Sequence, residues 1–194
     1  MESFVFKLIL FGFIIGCGLI RVPLMKECKK NNNIKDIHSG FEKTKVFIAW
    51  LGMCLVPFIY IFSHLLDRFD VVLPLYVRII ASFALIANTV FFYYIHKQLS
   101  NNWSPVLQIK EDQKLIKDGI YKYIRHPMYT QSWLWVILQG IVAANWFVLV
   151  FGVITWGFMY FTRVFAEENM MINEFGDEYK EYMKNTGRLV PKFL

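Results

Sequence analysis

Two short polar stretches flank a long apolar run in the C-terminal half of this chain. Together they hold most of the side chains capable of chemistry. The first is IYKYIRHPMY, residues 120–129, and the second is TRVFAEENMM, residues 162–171. In the second, Glu167 and Glu168 are adjacent acids, and Arg163 lies four residues before Glu167, on the same helical face. An acidic pair suits a ligand with a positive group. An arginine beside it suits a carboxylate, which its planar guanidinium grips through two parallel hydrogen bonds. In the first stretch, Pro127 fits the first position of a helix. His126 then becomes the N-cap, beside the positive helix end, where a ligand carboxylate is favoured. Tyr121, Tyr123 and Tyr129 offer flat walls or hydroxyls. Each stretch also has a structural reading. Arg125 and Arg163 fit as anchors at helix ends, with the two carboxylates disfavoured near a helix C-terminus by about 0.3–1 kcal/mol. The residue types leave both readings open.

Other chemistries lack their residues. The four histidines are scattered, with no H-E-x-x-H spacing, and the three cysteines form no C-x-x-C pair. No G-x-S-x-G elbow, P-loop or strand-borne G-x-G-x-x-G is present. A metal centre and a Rossmann-held nucleotide are therefore not expected. The net charge of +6 is assigned to membrane orientation and lipid phosphates, not to nucleic acid.

The elements that must position these groups are membrane helices. Of 194 residues, 56% are hydrophobic, 18% aromatic and only 19% charged, a balance that fits burial in lipid. A crossing needs about 20 mostly apolar residues. Residues 4–20, 46–66 and 75–96 supply three. The first is read as a retained helix, not a cleaved signal, and its Gly12-x-x-x-Gly16 spacing predicts a close helix approach. Pro57 predicts a kink in the second. The last run, residues 128–165, is too long for one crossing and predicts a tight hairpin over 128–142 and 147–165, turning at AANW. Basic residues crowd the first and third loops and the tail, and are sparse in the second loop and the hairpin turn. That alternation requires five spans. It places the N-terminus outside and the third loop, the tail and the chemistry-bearing residues in the cytoplasm. Phe175, Tyr179, Tyr182 and Met183 predict a short amphipathic helix against the cytoplasmic face, ended by Gly187. The fold class is thus an all-α integral membrane protein of five transmembrane helices, one domain over residues 1–194.

With the elements in place, the composite G-x-Y-x-x-x-R-H-P-x-Y, then R-x-x-x-E-E, then F-G-x-x-Y-x-x-Y resembles the isoprenylcysteine carboxyl methyltransferase family, from about Asn102 to the C-terminus. The resemblance implies a membrane-embedded, S-adenosylmethionine-dependent methyltransferase releasing S-adenosylhomocysteine. It implies a cytoplasmic cofactor pocket covered by the C-terminal helix, and a tunnel leading to lipid. By motif, Tyr121, His126, Pro127, Met128 and Tyr129 fall on cofactor-contacting positions, as do Gln113, Lys114, Leu115 and Ile116, whose backbone would take the adenine. Gln113 stands where the family has a histidine, and Gln108 is carried over from the loop before it. Glu167 and Glu168 match the acidic pair that holds the cofactor. Arg163 matches the arginine that orients the substrate carboxylate. The five spans fit a minimal prokaryotic member.

A carboxylate is already a nucleophile at neutral pH, so such an enzyme needs desolvation and in-line aim more than a base. The expected partners are a lipophilic, prenylated or lipid substrate and membrane lipids, with no nucleic acid and no metal. Two other readings stand beside it. N-methylation of an aminolipid such as phosphatidylethanolamine would need a proton acceptor and gain little from Arg163. A non-catalytic lipid-binding protein would need neither the acidic pair nor the cofactor.

Overall fold

The computed structural model describes residues 2–30, 34–36, 39–99, 108–110 and 114–192. Its main helices are α1 (Glu2–Lys30), α2 (Ser39–Trp50), α3 (Val56–Phe62), α4 (Leu75–Leu99), α5 (Pro127–Ala143), α6 (Trp146–Phe175) and α7 (Asp177–Asn185). A three-residue antiparallel ladder, β1 (Ile34–Asp36) with β2 (Gln108–Lys110), departs from the all-α expectation; it ties the first connection to the third. Four helical stretches are long and apolar enough to cross a membrane: Ser3–Pro23, Phe41–Phe62, Leu75–Leu99 and Trp146–Phe175. The 17-residue α5 would reach about 26 Å at 1.5 Å per residue, slightly less than a hydrocarbon core of about 30 Å. It is the central helix, packed between α4 and α6. Ten of its residues are buried, among them Gln131, Ser132 and Gln139.

Pro57 acts one turn before its own position. α2 and α3 form one continuous helix interrupted by a π turn at Leu51–Leu55, where the Val56 N–H bonds to the Leu51 carbonyl. That donor would serve Gly52 in an α-helix. The next candidate, Pro57, has no N–H. The Gly52 carbonyl is instead taken by Gln139 Nε2 of α5 at 3.0 Å. Gly52 also lies tight against α6: a Cβ there would lie 2.0 Å from Thr155 Oγ1 and 3.1 Å from the Gly152 Cα. The expected close approach at Gly12 and Gly16 is not observed. Gly12 is exposed with nothing within 4 Å of its would-be Cβ, and Gly16 has only Thr89 Cγ2, at 3.9 Å. Glycine spacing marks where a helix can be approached, and the neighbours' side chains decide where it is.

α5 and α6 are joined by Ala144, in the left-handed conformation at φ 53°, and Asn145. Asn145 Oδ1 caps α6 by accepting from the Val148 N–H at 3.1 Å. Its amide donates to the Leu66 carbonyl at 2.8 Å and to Asp70 Oδ1 at 2.7 Å. The turn is thereby fastened to the connection between α3 and α4. At its other end α6 runs past residue 165 to Phe175. The expected helix end beside Glu167 and Glu168 is therefore replaced by a continuous helix, and the macrodipole penalty does not arise. Gly176, at φ 57° and ψ −128°, stops it in a conformation open to glycine alone. α7 then folds back and buries Tyr179 and Tyr182. It ends at Asn185, with Thr186 as C-cap, one residue before the expected Gly187.

Candidate functional site

The turn of α6 that carries the two acids meets the start of α5. Successive residues on a helix point about 100° apart, so the two carboxylates leave in different directions. Glu168, buried, points into a basic cluster. Its Oε1 accepts from Arg125 Nε at 2.7 Å and Arg188 Nε at 3.0 Å, with His126 Nε2 at 3.2 Å. Its Oε2 accepts from Arg188 Nη2 at 2.6 Å. Glu167, partly exposed, faces the cavity. Its Oε2 accepts from the Tyr129 hydroxyl and lies 3.9 Å from Arg163 Nε, and its Oε1 lies 3.9 Å from His126 Nδ1. His126 does sit at the N-cap position, but its ring makes no cap hydrogen bond and stands between the two acids instead. Tyr129 is held in turn by edge contact with Tyr160 at 5.4 Å.

The tail closes this cluster. The Gly187 N–H donates to the Tyr123 carbonyl, and the Arg125 and His126 N–H groups donate to the Gly187 and Arg188 carbonyls. Residues 187–188 thus run alongside the RHP segment as a short parallel bridge. Tyr182 donates its hydroxyl to the Tyr121 carbonyl at 2.6 Å. Burial pushes the Tyr182 phenol up to about 12, and raises those of Tyr121 and Tyr179 as well, so all three stay neutral walls. The hydrogen bond to Glu168 raises the Arg188 guanidinium further above its ordinary range.

Inside lies a cavity of about 260 Å³. Its wall includes Lys114, Leu115, Ile116, Tyr121, Arg125, His126, Pro127, Met128, Tyr129, Arg163 and Glu167, with Tyr179 and Tyr182 of α7. The same wall carries the apolar side chains Trp50, Met53, Phe92, Trp135, Trp156 and Met159. Of the residues singled out from sequence, Glu168 lies behind this wall, and Gln108 sits in β2, paired with Asp36. Gln113 lies outside the described residues. Sequence reasoning missed Arg21, which reaches the same cavity from α1, and Glu42 and Lys45, which lie buried on α2 beside Arg163. No motif marks them. The available signal was two charges, Glu42 and Lys45, three residues apart at the start of an apolar helix. Among the described residues, the wall carries the cations Arg21, Lys114, Arg125 and Arg163 and the acid Glu167, and from behind the wall Glu168 pairs with Arg125 and Glu42 approaches Arg163.

Residues 79–173 match the family model "Isoprenylcysteine carboxyl methyltransferase (ICMT) family". The chain is 31% identical over 97 residues to the protein-S-isoprenylcysteine O-methyltransferase of Schizosaccharomyces pombe, covering 48% of this chain and 41% of that protein. It is 32% identical over 83 residues to the enzyme of that name from Dictyostelium discoideum, covering 42% and 35%. The matched stretches thus span less than half the length of these relatives. A solved structure of the eukaryotic intramembrane Ras methyltransferase ICMT aligns over 94% of this chain and 66% of its own, with a TM-score of 0.60 at 19% identity, a likeness of fold.

Proposed function

We propose, for a chain whose residues 79–173 belong to the isoprenylcysteine carboxyl methyltransferase family, a membrane-embedded methyltransferase that esterifies the carboxylate of a lipophilic substrate such as a C-terminal prenylcysteine. The observation that carries this reading is one cavity whose wall holds both charged side chains and a set of aromatic and methionine side chains. S-adenosylmethionine would supply an electrophilic methyl on a cationic sulfur and leave as S-adenosylhomocysteine. The residues present fit it. Glu167 is a partly exposed carboxylate on the cavity wall, suited to the donor's ammonium, and residues 114–116 line the same cavity. His126, Pro127, Met128, Tyr129 and Tyr121 would form the remaining walls, with α7 as the cover. Glu168 would act at one remove, by fixing Arg125, His126 and the tail.

Arg163 would hold the substrate carboxylate and aim one oxygen at the methyl group. With the donor bound, a carboxylate oxygen held by Arg163 would take the methyl group, its C–O bond replacing the C–S bond, and no residue would have to move a proton. The aromatic and methionine walls would take the prenyl chain and exclude water, which strengthens the attraction between carboxylate and arginine. N-methylation of an aminolipid headgroup would need an acceptor for the ammonium proton, and a neutral amine would gain nothing from Arg163. In the membrane, α5 would complete a five-span arrangement with α6 as its hairpin partner, and the charged part of the cavity wall would lie toward the cytoplasm.

Titration of the purified protein with S-adenosylmethionine tests the donor site directly. Glu167→Ala is expected to lose about 2–5 kcal/mol of affinity, roughly 30-fold or more, while the protein still melts cooperatively. Retained calorimetric affinity would remove Glu167 from the site. Methyl transfer to a farnesylcysteine carboxylate, and none to phosphatidylethanolamine, is the expected acceptor profile.

A further inference from the structure

We propose that Glu42 and Lys45 of α2 are positioning residues for Arg163, so that the aim of the carboxylate clamp is set from outside the segment matching the family model; the inference rests on the carboxylate reading above. Both side chains are buried, Glu42 at 2% and Lys45 at 6% relative exposure, in a stretch that is otherwise largely apolar. Buried charges persist only when paired. Lys45 Nζ donates to Glu42 Oε1 at 2.6 Å and to the carbonyl of Thr162, the residue before Arg163, at 3.3 Å. Glu42 Oε2 lies 3.8 Å from Arg163 Nε and makes no hydrogen bond among the described residues. α2 therefore grips this turn of α6 twice, once at the backbone and once at the guanidinium.

The geometry gives the pair a specific task. Glu42 Oε2 at 3.8 Å and Glu167 Oε2 at 3.9 Å both approach the Nε edge of Arg163. Two carboxylates near that edge hold the guanidinium by charge and restrict its swing, while it remains part of the cavity wall. Glu167 belongs to the proposed donor site in the cavity, whereas Glu42 is not on the wall among the described residues. Changing Glu42 should therefore alter how the carboxylate is held and leave donor binding intact. Gln at this position keeps the shape and can still accept from Lys45, while removing the charge that faces Arg163.

The test measures binding of N-acetyl-S-farnesylcysteine and of its methyl ester to the full chain in detergent, alongside S-adenosylmethionine. The wild type is expected to prefer the acid by about tenfold or more, and Glu42→Gln to bring acid and ester within about threefold of each other with donor affinity unchanged. Should Glu42→Gln not fold, Glu42→Asp keeps the charge but withdraws it by one methylene and is expected to lose part of the preference. A Glu42 variant that keeps the full preference overturns the positioning role. So does one that loses donor affinity in parallel, because that is the signature of a general structural effect. A wild type without the preference, or an Arg163→Gln protein that retains it, overturns the carboxylate reading itself and the positioning with it.

Discussion

At the residue scale, two neighbouring glutamates with one chemistry have separate tasks. Glu167 faces the cavity and bonds to Tyr129; Glu168 faces the tail and gathers Arg125, Arg188 and His126. Glu168→Gln would leave two buried or half-buried guanidiniums facing each other without their counter-charge. That is expected to cost about 3–5 kcal/mol of stability, because a broken buried ion pair leaves an uncompensated charge. The readout is thermal melting in detergent, with limited proteolysis of the segment after α7 as the local reporter. An unchanged melting temperature together with a protected tail would show that the backbone bridge from Gly187 to Tyr123 suffices alone. The sequence made the acids conspicuous as a pair. It did not reveal their division, because Arg188 reaches Glu168 only after α6 has ended at Gly176 and α7 has turned the chain back.

At the element scale, the interrupted helix of residues 39–62 shows which parts of the fold are local and which are not. Pro57 was enough to predict a disturbance. Its form, a π turn at Leu51–Leu55, depends on Gln139 of α5 and Thr155 of α6, which no local pattern around Pro57 names. Gln139 is fully buried; besides serving the Gly52 carbonyl, it accepts from the Trp135 indole at 3.0 Å. Gln139→Leu keeps the volume near the original and strands both the carbonyl and the indole N–H. The expected loss is about 1–3 kcal/mol for each buried group left unsatisfied. Comparison of melting temperatures in a Trp135→Phe background, where no indole N–H is left to strand, separates the two contributions. A neutral Gln139→Leu would mean that the π turn relaxes to an ordinary helix. The same limit explains the idle Gly12 and Gly16 and the β1–β2 ladder, since both depend on which segment arrives opposite.

At the scale of the whole molecule, the fold sorts charge into two ends. The basic third connection is joined to the first by the β1–β2 ladder, and to the tail by Lys117 with Glu178 at 2.5 Å and by Gly187 with Tyr123. The opposite end carries the connection after α3, fastened to the α5–α6 turn through Val71 and Ala144, with Arg68 as its basic residue. The alternation of charge along the chain was legible from sequence because it is a property of loops, and loops on one side of a bundle share a solvent. The positive-inside bias then predicts that the cluster around His126 faces the cytoplasm. Replacing the three cysteines and introducing His64→Cys at one end or Lys122→Cys at the other makes the orientation measurable, since both positions are exposed. A membrane-impermeant maleimide added to intact cells is expected to label His64→Cys at once, and Lys122→Cys only after permeabilisation. The reverse pattern would place the charged part of the cavity wall outside, away from a cytoplasmic supply of methyl donor, and would turn the proposed reaction against its own topology.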